Sequence, residues 1–387
     1  MFFPVENGDM TLIRLADNLS TTILIDVNIR KAADDVNDQT PDVAKLLREI
    51  LLKDKNERPF VDAFSLSHPD KDHCSGLVKH FWLGDPDDYP DDNLSQSEKR
   101  IIIRELWSSP MVFRRASKSL ALCDDAKAFH REARRRVKYW RENGWAGDGN
   151  RILILGEDEN GKTDDLTDIL IKEKDSICKI NGSNTNGYFS AKLLAPFPKQ
   201  DDENAEDLLS KNHSSIILNI DLTSQQGATP TRFLTGGDAE VAIWDRLWAK
   251  YKYSSKELSY DLLQAPHHCS WHSLSYDSWS TYQEEAEVSI DARNALGQAK
   301  HGATIVASSK KILDDAKDPP CIGAKKEYLA ILRPVDGTFL CTGDIKGCET
   351  IELIPQSDGS VIRKIATVTT AAAILVGSSA PRAGCFD

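Results

Sequence analysis

Within ten residues, Ser67-His68-Pro69-Asp70-Lys71-Asp72-His73-Cys74-Ser75-Gly76, the chain carries two histidines and two aspartates. Imidazole nitrogens and carboxylate oxygens are metal-ligating groups. Neighbouring side chains on one tight loop cannot all reach a single centre, so the segment suits two divalent ions better than one. The metal-free alternative is that these side chains cap a helix and bond to one another. Two later segments repeat the arrangement. Phe233-Leu234-Thr235-Gly236-Gly237-Asp238-Ala239-Glu240 ends an apolar stretch on an aspartate flanked by small residues, and Asp261-Leu262-Leu263-Gln264-Ala265-Pro266-His267-His268-Cys269-Ser270 ends another on paired histidines. Each alone is a weak signal, because an aspartate after a glycine pair commonly forms a turn or caps a helix. Together the three segments supply His68, Asp70, Asp72, His73, Asp238 and His267, enough for a two-metal centre in which Asp238 is suited to bridge.

Such a centre needs rigid supports, and each segment follows a strand-like run. Loops at strand ends are where α/β enzymes place their chemistry. Phe60 to Leu66 reads as a buried strand, and Met10 to Leu15 with Thr22 to Val27 as an opening pair turned at Asp17-Asn18. Further strands are expected at Ile101–Trp107, Arg151–Leu155, Tyr188–Leu194, Ser215–Ile220, Arg232–Leu234, Ala303–Ala307 and Thr350–Ile354. Helices are expected at Val43–Leu52, Val241–Lys250, around Glu284–Lys300 and at Lys325–Leu332. One more helix is clear from Leu122, Ala126, Phe129, Ala133, Val137 and Trp140, spaced by three and four. Arg131, Arg134, Arg135, Lys138 and Arg141 fall largely on its other face. That face reads either as a solvated surface or as a docking face for phosphates or an acidic protein partner.

Composition limits the function classes. The chain has 387 residues, 40% hydrophobic and 28% charged, which excludes a disordered or fibrous protein. No apolar run reaches the roughly 18 residues of a membrane helix, and Glu6, Asp9 and Arg14 interrupt the place of a signal-peptide core. No membrane association is expected. Eight cysteines without a C-x-x-C pair suggest neither a disulfide framework nor a zinc ribbon, so a reduced, cytoplasmic location is expected. A net charge of -12 argues against indiscriminate coating of nucleic acid. Met111 to Arg141 is the local exception, with ten Lys/Arg against Asp124, Asp125 and Glu132.

The three segments, read as Ser-His-Pro-Asp-x-Asp-His-x-x-Gly, Gly-Asp-Ala-Glu and Ala-Pro-His-His-x-Ser, resemble the metallo-β-lactamase superfamily. The closest resemblance is to the branch typified by the nuclease domain of ComEC-type competence proteins. In that branch the second histidine of the superfamily's His-x-His-x-Asp-His motif is often an aspartate, as Asp70 is here. Asn7-Gly8-Asp9 with Thr22 to Asp26 is similar to the branch's opening hairpin, and Asn212-His213-Ser214-Ser215-Ile216 to its Asn-x-x-Ser strand entry. The resemblance covers most of residues 5–350 and lacks the membrane channel of competence proteins. Three departures stand out: Thr-Gly-Gly-Asp for Thr-Gly-Asp, Cys269 in place of glycine, and Asp318-Pro319 where a His-Pro pair is common.

The resemblance implies an α/β fold, specifically an αββα four-layer sandwich with a helical insertion. One hydrolase domain would span 1–365, with an acidic loop and the basic helix inside 82–150, followed by a small, apolar tail at 366–387. His68 and Asp70 would hold one ion, and Asp72, His73 and His267 the other, with Asp238 between them. The ions would be Zn2+ or Mn2+, and a bridging hydroxide the nucleophile. Asp72, Asp238 and His268 are expected to act in catalysis, His268 as a hydrogen-bond partner behind the ligands. His213 is either a further ligand or such a partner. Lys310, Arg134, Arg135 and Lys138 are candidate substrate contacts, each also readable as an ordinary exposed cation.

The leading functional expectation is a phosphodiesterase or nuclease acting on nucleic acid or another phosphodiester. An alternative is a hydrolase of a small ester, lactone or cyclic nucleotide. A second alternative is a partner-binding component of a multiprotein, defence-type system.

Overall fold

The computed structural model describes residues 1–364 except 36, 119, 120, 211–213, 346 and 348, with residue 210 described by its backbone alone. His213 and the 366–387 tail lie outside the described residues.

The chain is mixed α/β with two large sheets. The first contains β1 (Thr11–Arg14), β2 (Thr22–Ile25), β3 (Phe60–Ser65), β4 (Phe81–Trp82), β5 (Ile101–Ser108), β6 (Arg151–Leu155) and β7 (Leu170–Ile171). Its order is β1-β2-β3-β5-β6-β7, with β4 also paired to β5, and every pairing after the β1/β2 hairpin is parallel. The second contains β8 (Ser176–Ile177), β9 (Phe189–Ala195), β10 (Ile217–Leu222), β11 (Thr231–Leu234), β12 (Tyr260–Gln264), β13 (Ala299–Ala307) and β14 (Thr338–Cys341). These lie in sequence order, antiparallel from β8 to β11 and parallel from β11 to β14.

Side-chain alternation along these strands builds three cores. In the first sheet Leu12, Leu24, Phe64, Leu106 and Ile152 stand in one cross-strand row. That row packs against α1 (Val43–Ile50) and the long basic helix. On its other face Ile13, Ile23, Ile25 and Trp107 meet Ala191, Ile220, Phe233 and Leu262 of the second sheet. The opposite face of the second sheet, through Leu234, Leu263 and Ile305, packs on Trp244, Leu247, Ala292, Leu296, Tyr328 and Leu332. These last residues come from helices at Val241–Tyr251, Ile290–Leu296 and Ile322–Leu332.

The basic helix spans Asp124–Asn143. Asp124 and Asp125 in its first turn complement the helix dipole, and Gly144 at φ 70° stops it. It buries Ala126, Phe129 and Ala133 as the spacing predicts. Within 82–150, Ile101–Ser108 is an interior strand of the first sheet, as expected at Ile101–Trp107, and the basic helix follows it. The helix expected around Glu284–Lys300 is shorter. Ser289 caps Ile290–Leu296, Gly297 follows, and Ala299 already belongs to β13. No helix among the described residues is long and apolar enough to cross a membrane.

The topology brings the chemistry together. The segments that follow β3, β11 and β12 meet at one end of the paired sheets. Ile216 N–H donates to the Ser67 carbonyl (3.0 Å), His267 N–H to the Gly237 carbonyl (2.8 Å), and Asp9 N–H to the Asp72 carbonyl (3.2 Å).

Candidate metal centre

The first loop is pinned by a residue outside it. Asp26, directly after β2, accepts from Ser67 N (2.7 Å) and Ser67 Oγ (2.5 Å), and Asp26 Oδ2 lies 2.9 Å from His73 Nδ1. His73 sits on the short helix Lys71–Cys74, and its Nε2 faces Asp238 Oδ1 at 2.8 Å. The second loop depends on its extra glycine. Gly237 has φ 48°, and a Cβ there would lie 2.7 Å from Ser215 Cβ; Ser215 Oγ in turn accepts from Asp238 N at 2.9 Å. The third loop runs through three consecutive left-handed residues, His267 (φ 48°), His268 (φ 54°) and Cys269 (φ 68°). Left-handed geometry costs roughly 1–2 kcal/mol per L-residue, and such strain concentrates at functional sites. Here it aims two adjacent imidazoles at different partners, and Cys269 occupies its glycine-like conformation with the thiol wholly buried.

Two groups of donors share one carboxylate. Asp72, His73, Asp238 and His268 each place a ligand atom within 4.8 Å of the others, and so do His68, Asp70 and Asp238. Asp238 is common to both. A third group, Asp9, Asp26 and His73, lies behind the first. His268 Nε2 is 3.3 Å from Asp72 Oδ2 and 3.6 Å from Asp238 Oδ1, and its Nδ1 is 3.4 Å from Asp9 Oδ1. His268, expected behind the ligands, therefore lies in the four-residue group. His267, expected among the ligands, stands 4.0 Å from Asp238 Oδ2 and 3.7 Å from Glu240 Oε1, and is partly exposed. His68 is buried, with Nδ1 3.5 Å from Asp70 Oδ1.

Buried charge dominates the electrostatics. Burial opposes protonation of His73 and His268, yet the surrounding carboxylates win: His73 is held well above the usual imidazole range and His268 is pushed up to about 10. Asp238 shows the converse. Burial disfavours its charge, but His73, His267 and His268 hold it well below the carboxylate range. Burial, reinforced by Asp238, pushes Asp70 up to about 7, and burial also raises Asp26. The cluster demands positive charge, which protons or cations can supply. Both ring nitrogens of His268 and Oδ1 of Asp9 are buried without a well-formed hydrogen bond. Buried polar atoms of this kind call for a partner, and a mixed carboxylate–imidazole set fits divalent cations. The described residues thus fit the ions that the sequence implies.

Asp9 and Asp26 were not singled out as site residues by sequence, although Asp26 ends a strand just as Asp238 nearly does. Beside Asp70 and Asp72 opens a cavity of about 910 Å³ whose wall also carries Arg30, Lys31, Lys71 and Lys79. Lys310 lies in a neighbouring cavity of about 600 Å³ that shares Arg30, and sits 3.4 Å from Glu6. Arg134, Arg135 and Lys138 line neither cavity among the described residues. Arg135 is engaged with Glu132 and Asn150 and with the Gly84 and Gly149 carbonyls, whereas Arg134 and Lys138 are exposed. Other histidines serve the fold or the surface: His80 bonds Arg48, His130 stacks on Phe113, and His301 is exposed. His272 and Asp318 approach to 3.9 Å beside Glu240 and His267.

No protein-family model matches this chain, and no curated protein matches it.

Proposed function

We propose that the protein is a binuclear metal-dependent hydrolase of phosphodiesters, built on the αββα sandwich of the metallo-β-lactamase superfamily. One observation carries the reading: three sequence-distant loops, together with Asp9 and Asp26, converge into a buried carboxylate–imidazole cluster in which Asp238 belongs to both candidate ion sites. His68, Asp70 and Asp238 would hold one ion, and Asp72, His73, Asp238 and His268 the other, with His267 close enough to Asp238 to join on a small rotation. Two divalent ions held there would supply water acidic enough to ionise near neutral pH and would offset charge on a phosphoryl oxygen. The chain's own groups do the rest. Asp26 fixes the His73 ring by bonding Nδ1, which leaves Nε2 for the centre. Asp9 Oδ1 faces His268 Nδ1 from the other side of the ring at 3.4 Å. The adjoining cavity is lined by Arg30, Lys31, Lys71 and Lys79 together with Asp34, Asp70, Asp72 and Asp125. Cations for an anionic substrate thus stand beside the candidate ligands, with Arg30 paired to Glu6 and Lys79 to Asp34.

A small phosphodiester, such as a cyclic nucleotide, is favoured over long nucleic acid by the cavity. Its cations lie beside the cluster, while the basic helix reaches the lining only at its N-terminus, through Cys123 and Asp125, and commits Arg135 internally. A panel of bis(p-nitrophenyl) phosphate, cyclic mononucleotides, and single-stranded DNA and RNA, assayed with added Zn2+ or Mn2+, tests both parts. Turnover of small diesters exceeding that of polymers is expected. Turnover of polymers alone moves the assignment to a nuclease. No phosphodiester turnover with ions demonstrably bound rejects it.

A further inference from the structure

Cys74 and Cys123 are 49 positions apart in sequence, yet their sulfurs are 3.4 Å apart. Cys74 closes the short helix that carries Asp72 and His73; it is wholly buried, with Sγ 3.1 Å from the Asp70 carbonyl oxygen. Cys123 caps the long basic helix, its Sγ 3.4 Å from the Ala126 N–H. It is half-buried and forms part of the wall of the 910 Å³ cavity together with Asp70 and Asp72. The Cys74 sulfur and the Ala126 N–H both face the Cys123 sulfur, each at 3.4 Å, at the N-terminus of the long helix. The pair therefore combines an approachable nucleophilic sulfur, a buried sulfur already in contact with it, and an open route for a small oxidant.

We propose that Cys74 and Cys123 form a reversible dithiol–disulfide pair, oxidised by hydrogen peroxide that enters through the cavity. The Cys123 sulfur attacks one peroxide oxygen; an S–O bond forms, the O–O bond breaks, and the Cys123 proton leaves in water. The Cys74 sulfur then attacks the Cys123 sulfur; an S–S bond forms, the S–O bond breaks, and the hydroxyl leaves with the Cys74 proton as a second water. Two thiols lose two electrons to one peroxide. The sulfurs need to close by about 1.4 Å to reach bonded length. Closure draws Cys74 Sγ off the Asp70 carbonyl and ties the turn bearing Asp72 and His73 to the long helix. A pair this close to candidate ligands links redox state to the cluster, but its oxidation is read from covalent mass and does not depend on any hydrolytic activity.

The full chain, as purified, is treated with equimolar hydrogen peroxide, alkylated, digested with trypsin without reduction, and weighed. The expected product joins the peptide Asp72–Lys79 to the peptide 119–127, lighter than their sum by two hydrogens, and disappears on reduction with dithiothreitol. In Cys123→Ser the cross-link falls to background; Cys178→Ser, at an exposed thiol, leaves it unchanged. Circular dichroism of Cys123→Ser confirms that loss of the cross-link is not loss of the fold, and Cys74→Ala gives the same chemical answer from the other side. Full alkylation of both thiols after peroxide, over-oxidation of Cys123 without a cross-link, or a cross-link to Cys178 instead would overturn the proposal.

Discussion

Asp238 is surrounded by His73, His267 and His268, and its charge is what those imidazoles share. In the metal-free protein this produces a defined pH response. A histidine raised in the fold, such as His268 at about 10, contributes stability that is complete below the ordinary imidazole value of about 6.5 and is lost as pH rises through its folded value. His73 acts in the same direction. Asp70, raised to about 7, costs stability at lower pH, from about 4 to 7, because its ionisation is penalised in the fold. Asp238, held low, contributes stability that disappears only on acidification below about 4. The chelated protein should therefore lose Tm between pH 6.5 and 10. Divalent ions, which bind neutral imidazole, should raise Tm more at pH 8 than at pH 6. Thermal melts with and without chelator check both, and a chelated Tm that climbs over this range contradicts the charge assignment. A second residue-scale prediction concerns Gly237. Alanine there meets Ser215 in a left-handed backbone, so Gly237→Ala should cost about 1–3 kcal/mol by chemical denaturation and weaken metal retention by displacing Asp238.

At the scale of elements, the long helix is held by a buried ion-pair network as well as by its apolar stripe. Glu132 is buried and bonds both Arg135 (2.7 Å) and the fully buried Arg136 (2.7 Å), and Arg136 also reaches the Ile103 and Arg151 carbonyls. Removing the carboxylate leaves the fully buried Arg136 without its counter-charge, so Glu132→Ala should destabilise the fold by about 3–5 kcal/mol, read as a shift of the urea midpoint. The body of this helix was legible because Ala126, Phe129, Ala133, Val137 and Trp140 recur at steps of three and four, whereas Leu122 precedes its Cys123 cap. The burial of Arg136 was not legible, since a guanidinium reads as surface until strand carbonyls are placed beside it. The strands at Phe60–Ser65, Arg151–Leu155 and Thr231–Leu234 were readable from their apolar runs. The edge strand Thr338–Cys341 and the helix Pro110–Ala116 carry too little pattern of their own; one depends on parallel pairing to Ala299–Ala307 and the other on a Ser109 cap. Among site residues, the loop motifs exposed His68, Asp70, Asp72, His73 and Asp238. Asp9 and Asp26 join them through tertiary contacts, and the left-handed turn, not the motif, decides which of His267 and His268 faces Asp72.

For the whole molecule, charge is segregated and the segregation has a functional reading. The chain is acidic overall, and the cavity beside the cluster is edged by Arg30, Lys31, Lys71 and Lys79 interleaved with Asp34, Asp70, Asp72 and Asp125. Arg30→Ala should raise KM for a small phosphodiester by on the order of tenfold, the worth of one charge-assisted hydrogen bond, with kcat little changed. Arg134→Ala and Lys138→Ala, on the exposed face of the long helix, should leave both constants unchanged. If the helix variants raise KM and Arg30→Ala does not, substrate follows the helix and the polymer reading prevails. All of this presupposes the ions. The most direct measurement is elemental analysis of protein purified without chelator, beside Asp238→Ala under the same conditions. The account predicts about two equivalents of a divalent metal, zinc or manganese, in the parent chain and loss of both from the variant, because Asp238 belongs to both donor groups. A parent chain that carries no metal and takes up none on addition contradicts it.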